Sequence, residues 1–409
     1  MPTDHQILLD FKALLLRLPY WCRNERRLGL AEQALGKDHP AIRAIEWDGT
    51  AEAQAWDLPS RCDDYDQPVP SGLSPLCALL DLLREEFGHS TDERGRRIAS
   101  LTERLSCRAP VECDWPHDPY PGMLALDCDQ APIFFGRRAE TQALLFKLDS
   151  PQGERLTLVA GASGSGKSSL VRAGLWATLD DAARTPIRGS EDWVVTAMKP
   201  SKPEGDPFQA LFWGIARGGI PGFADADDEA ARLRQDPSAF PRLLQRVLSG
   251  RPDHAEWLLI LDQFEELFTS VESELATCFL DALLLPAIGQ PRFRVVATVR
   301  SDFLDRCIAH GGLREELNAD AQFSVGAPGP AAMAAMIEGP VRRLRLASPV
   351  DLEDALVERL VTDASGRAGG LALLAFALKD LYDDCKTRGR MDLADFESER
   401  IGGLEGAGL

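Results

Sequence analysis

Residues 156 to 175 read LTLVAGASGSGKSSLVRAGL: an apolar run, a glycine-rich turn ending in Gly-Lys-Ser, and a stretch of helical apolar spacing. No other part of the sequence restricts the fold as much. Gly161-Ala162-Ser163-Gly164-Ser165-Gly166-Lys167-Ser168 fits G-x-x-x-x-G-K-[ST], and it stands between an expected strand and an expected helix, as that pattern requires. Glycines are needed because such a loop turns its backbone N–H groups inward around phosphates, through dihedral angles that a Cβ obstructs. The helix that follows adds the positive end of its dipole. Lys167 would bring a mobile point charge to the β- and γ-phosphates, and the Ser168 hydroxyl would coordinate Mg²⁺. Ser163, Gly164, Ser165, Gly166, Lys167, Ser168 and Ser169 are therefore the candidate phosphate contacts.

Downstream, β-type runs at Leu156-Ala160, Trp193-Met198, Trp257-Leu261, Phe293-Thr298 and Phe323-Val325 alternate with helical segments such as Lys167-Leu179 and Phe208-Ala216. That alternation predicts an α/β core with a parallel sheet covered on both faces. The run Leu258-Leu259-Ile260-Leu261-Asp262 ends in an acid, placed to hold Mg²⁺ through water beside the loop. In Gln263-Phe264-Glu265-Glu266-Leu267-Phe268 the three apolar residues share a helical face, so Glu265 and Glu266 point either to solvent or to the catalytic centre. Val295-Val299 delivers Arg300 to the sheet edge where ligands of open α/β folds bind. Arg300 would sense the γ-phosphate or pair with nearby acids.

The 409 residues suffice for two or three domains. Residues 1–108 read as a small all-α bundle: a first helix over Ile7 to Leu15 ended by Pro19, a second from Glu25 to Leu35, a loop from Pro59 to Pro75, then helices from Leu76 to near Gly88 and from Asp92 to Leu105. Residues 109–130 are proline-rich and aperiodic, a linker or an extended wrap over a neighbour; 131–328 hold the α/β core, and 329–409 return to helix.

Lys plus Arg number 45 against 64 Asp plus Glu, a formal charge of −19. A field of that sign repels phosphate backbones and anionic lipids, which argues against nucleic-acid and membrane partners. The nine cysteines are scattered and never spaced C-x-x-C, as expected of reduced thiols; Cys107 and Cys113 could form a loop disulfide or half a metal site, but no matching Cys/His pair follows at zinc spacing. No apolar run approaches a membrane span, and no secretory leader opens the chain, so a cytoplasmic location is expected.

Together Phe134-Phe135-Gly136-Arg137-Arg138-Ala139-Glu140, GASGSGKSSLVRAGL at 161–175, LLILDQFEELF at 258–268 and TVRSDFL at 298–304 resemble a STAND-type P-loop NTPase, of the branch often fused to WD-repeat sensors in bacterial conflict systems. GGLALLAFALKDLY and the closing GGLEGAGL also look familiar for that family. The resemblance implies an AAA+-like core with a helical lid, ATP or ADP with Mg²⁺ as ligands, and Gly136, Arg137 and Arg138 as contacts to the adenine. No N-K-x-D guanine-reading motif occurs, so ATP is preferred. It further implies a switch whose oligomeric state, a homo-oligomer on activation, follows nucleotide exchange or hydrolysis. Lys167, Asp262, Gln263, Glu265 and Arg300 would form the catalytic set, with Ser168 and Asp262 on the metal. Residues 1–108 are similar to death-fold-like effector-associated domains, which implies recruitment of an effector carrying a like bundle; an anonymous regulatory bundle is the alternative. Two positions depart from the family pattern. Gln263 replaces the catalytic Glu that follows the Mg²⁺-linked Asp in related proteins, and a neutral amide orients water without taking its proton. Ala372 replaces a nucleotide-contacting Pro of the lid. Slow hydrolysis with Glu265 as base, or a nucleotide-bound scaffold without turnover, would both accommodate these departures.

Overall fold

The computed structural model describes residues 5–19, 21–36, 39–64, 69, 74–87, 92–105, 115–149, 155–181, 185, 187, 189–202, 204–223, 225–342, 344, 350–367 and 369–397. Cys107, Cys113, Gly88 and the closing GGLEGAGL lie outside them. The chain divides into two compact units, one of residues 124–131 with 137–327, the other of 1–123, 132–136 and 328–409.

The first unit is built on five parallel strands: β1 (Leu156–Gly161), β2 (Val194–Met198), β3 (Trp257–Leu261), β4 (Phe293–Arg300) and β5 (Gln322–Ser324). Their order in the sheet is β2-β3-β4-β1-β5. Every residue of β1 and of β3 is buried, as expected for central strands of a sheet with both faces covered. The alternation read from the sequence is thus an α/β sheet, and β4 intervenes between the strand before the glycine-rich turn and the strand ending at Asp262. Its register sets Gly161 opposite Arg300 and Leu261 opposite Ala297.

The end of the sheet remote from that turn is closed by aromatics. Phe240 stacks on Trp257 at a ring distance of 5.8 Å, and Phe293 meets both rings edge-on. The fully buried Trp257 also donates its indole N–H to Thr196 Oγ1 at 2.8 Å. Trp257→Ala deletes this packing and leaves a cavity, so a denaturant melt should show a loss of roughly 3–5 kcal/mol.

In the second unit, helices His5–Leu15, Asn24–Leu35, Ala51–Asp64, Pro75–Phe87 and Glu93–Arg104 enclose one apolar core around Phe11, Leu14, Trp21, Leu58, Leu79 and Leu83. Helices Pro330–Arg342, Asp354–Ala364 and Gly370–Cys385 enclose another around Ile337, Leu356, Leu360 and Leu381, and Pro330–Arg342 also packs against Pro75–Phe87. The proline-rich stretch wraps the second of these cores: Tyr120 donates its hydroxyl to Ile337 O, and Trp115 bridges to Leu344.

Three expectations are corrected. The expected loop does not begin at Pro59: the helix Ala51–Asp64 runs through that proline. Burial of Ala55, Leu58 and Cys62 outweighs the lost hydrogen bond, and Ser60 Oγ donates back to Trp56 O at 2.8 Å. Asp351–Leu352 pairs in parallel with Arg390–Met391 within the expected helical region, a strand pair too short to leave a period in the sequence. Cys77 is disulfide-bonded, whereas Cys22, Cys62, Cys128, Cys278, Cys307 and Cys385 are free. Spacing along a chain does not report proximity across a fold, so this bond was not legible as a motif. Among the described residues no helix is long and apolar enough to cross a membrane.

Candidate nucleotide site

β1 runs into the glycine-rich turn, and a helix leaves it over residues 167–179. Gly164 and Gly166 have φ of 71° and 85°, left-handed values that a side chain disfavours. Gly161 is required for another reason: a Cβ there would lie 2.6 Å from Val325 O and 2.9 Å from Ser165 Oγ. Ser163 and Gly164 are exposed at the tip, while Ser165 Oγ is buried without a hydrogen-bond partner. A glycine-rich turn with two left-handed glycines and an unsatisfied buried hydroxyl suits an anion bound by backbone and hydroxyl donors.

Lys167, 8% exposed, donates from Nζ to Gly161 O at 2.9 Å and Ala162 O at 2.7 Å. Burial pushes its pKa down; the Glu265 carboxylate opposes that more strongly than any other neighbouring charge. Ser168 donates Oγ–H to Asp262 Oδ1 at 2.6 Å, joining the turn to the end of β3. A hydroxyl and a carboxylate oxygen are hard donors of the kind Mg²⁺ takes. Among the described residues no group of three or more His, Cys, Asp or Glu is placed to hold a metal ion, so a cation here would depend on phosphate oxygens.

The sequence reading missed two residues around Asp262. Thr298 on β4 donates its hydroxyl to Asp262 Oδ1 at 2.8 Å, and Arg172 reaches Oδ2 at 3.0 Å. Arg172 also contacts Asp127 at 3.3 Å, and the Leu126 N–H donates to Ser169 Oγ at 3.1 Å. Ser169 is thereby committed to the 124–131 segment. The signals were present: Arg172 stands four residues after Ser168 on one helical face, and Thr298 is two residues before Arg300 on one face of a strand.

Gln263 follows Asp262 with φ of 61°, and its N–H donates to Thr298 Oγ1 at 2.9 Å. A non-glycine residue in that region is strained, and such strain gathers at functional sites. The two glutamates beyond it part company. Glu265 is buried and accepts the Arg300 N–H at 3.3 Å, whereas Glu266 accepts from Ser201 Oγ at 2.6 Å and braces the chain after β2. The Arg300 guanidinium pairs with Asp302 at 2.6 Å on the surface, which raises the arginine's pKa and lowers the acid's.

The three expected adenine contacts are distributed differently. Gly136, at φ 75°, approaches so closely that a Cβ would stand 2.3 Å from Ala332 O. Arg137 is 2% exposed and directs its guanidinium at Ser165 O, Gly326 O and Glu140. Arg138 opens the helix Arg138–Leu148.

A parallel sheet whose first strand enters this turn, with the turn's serine bonded to an acid two strands away, defines a P-loop nucleotide-binding NTPase. The chain belongs to the Novel STAND NTPase 1 family, whose family model matches residues 119–407. No curated protein matches the sequence. Among solved structures, it is similar to the ORC2 protein of Aeropyrum pernix in its ADPNP–ADP complexes, with 15% identity, TM-score 0.42 and 66% of each chain covered. The match therefore takes in just under two thirds of that protein's length. The ADP form of the same protein gives 18% identity and a TM-score of 0.41 over 67% of this chain and 68% of that one. Hsp104, in a closed state with ATPγS and FITC-casein, gives 12% identity and a TM-score of 0.40 over 64% of this chain and 42% of its own.

Proposed function

We propose that the chain is a Mg²⁺-dependent ATP switch of bacterial conflict signalling, slow in turnover, whose N-terminal bundle recruits an effector with a like bundle once nucleotide changes the oligomeric state. The observation that carries the nucleotide part is the 2.6 Å bond from Ser168 Oγ to Asp262 Oδ1, which brings the two expected metal-side groups together at the mouth of the turn. Bound there, Mg²⁺ would neutralise charge on the β- and γ-phosphates. Lys167 would exchange its carbonyl partners for phosphate oxygens. Thr298 and Arg172 hold the Asp262 carboxylate in orientation from two further sides. Glu265 is the residue proposed to take the proton of the attacking water, since Gln263 has no basic group.

A second reading, a nucleotide-bound scaffold with no turnover, draws on that same Gln263. Phosphate release under single-turnover conditions separates the two: a scaffold gives none above a Lys167→Ala control. For the metal, Asp262→Asn should remove most of the gain in ATP affinity that Mg²⁺ confers, by about tenfold or more, in calorimetry with and without chelator. An undiminished Mg²⁺ effect would show that the metal is held elsewhere.

A further inference from the structure

Arg137 lies next to the phosphate turn, yet its guanidinium faces backbone. One terminal nitrogen donates to Ser165 O at 2.9 Å and to Gly326 O at 3.0 Å; the other pairs with Glu140, three residues further on. A guanidinium only 2% exposed persists only where such acceptors compensate its lost hydration. Its Nε is buried without a hydrogen-bond partner.

The Ser165 carbonyl belongs to a planar trans peptide, in which C=O and N–H point in opposite directions. Drawing the Ser165 oxygen toward Arg137 therefore turns the Gly166 N–H the other way, and Gly166 at φ 85° carries the chain on into the helix. Loops of this kind hold phosphate by their N–H groups. We propose that Arg137 is a positioning residue for the phosphate turn: it sets the Ser165–Gly166 peptide with its N–H toward the anion, and through Gly326 it fastens the turn to the segment leaving β5. On this assignment Arg137 acts on triphosphate through the loop and does not read the adenine. The proposal rests on the nucleotide-binding reading given above.

The test compares Mg-ATP with inorganic tripolyphosphate as ligands of the full chain and of its Arg137→Gln and Arg137→Lys variants, by calorimetry. Both ligands should weaken by the same factor, roughly ten- to a hundredfold for Arg137→Gln, with Arg137→Lys in between because it keeps the charge and loses the fork. A fall in ATP affinity with tripolyphosphate affinity unchanged would overturn the proposal and assign Arg137 to the nucleoside. Wild-type affinity for both ligands in folded variants would overturn it as well. Should the substitutions prevent folding, as judged by circular dichroism, a structure of the wild-type chain with ADP decides. The guanidinium remaining on Ser165 O and Gly326 O supports the proposal, and a hydrogen bond from it to base or ribose refutes it. A wild-type chain that binds neither ligand sinks the nucleotide reading itself, an outcome distinct from any failure confined to the variants.

Discussion

Lys167→Ala should reduce ATP affinity by two to three orders of magnitude while leaving the thermal transition nearly unchanged. The ammonium is the mobile charge of the turn, and charge-assisted contacts to two phosphates contribute about 1.5–3 kcal/mol each. Burial already disfavours its charged form, and Glu265 opposes that, so the site holds a cation that a polyanion would further stabilise. The fold has less at stake. Nζ bonds Gly161 O and Ala162 O, carbonyls at the start of the turn that water reaches once the side chain is truncated. Calorimetry with Mg-ATP and a melt of the same sample read the two effects separately. Unchanged affinity in a folded variant would remove the basis for any nucleotide function.

Glu265→Gln should leave ATP affinity within a few-fold of the wild type and lower the rate of phosphate release by about 10²–10⁴, the range that a positioned general base contributes. Glu265 is buried, is held by the Arg300 N–H, and is the charged neighbour that most affects Lys167. The swap keeps its shape and hydrogen-bond capacity and removes only the basic oxygen. Glu266→Gln is the internal control: that carboxylate is committed to Ser201, so its loss should leave the rate unaltered. Equal rates for wild type and Glu265→Gln would exclude Glu265 as base. Absence of release in the wild type would favour the scaffold.

Much of the core was legible because its elements have sharp local signals. Trp257–Leu261 is a continuous apolar run closed by an acid, and the glycine-rich turn is a contiguous motif. β4 reaches Arg300, the residue the apolar run Val295–Val299 was expected to deliver, and its pairing with β1 continues to the Gly161–Arg300 register. The support of Asp262 was legible only in part: Thr298 shares a strand face with Arg300 and Arg172 a helical face with Ser168, but their approach to Asp262 depends on sheet order. Likewise the sequence could not divide Glu265 from Glu266; the positive φ of Gln263 sets the turn that separates them. Pro59 shows the converse, a local breaker overruled by a buried helical face.

The sheet order has a dimensional consequence. β1 and β3 are not neighbours: β4 separates them, so their ends stand two interstrand steps apart, roughly 10 Å at about 4.8 Å per step. Side chains span that interval, with Ser168 Oγ meeting Asp262 Oδ1 at 2.6 Å, and its floor is the tip of β4. The spacing of the two strand ends is thus set by the main-chain ladders of β4 with β1 and β3.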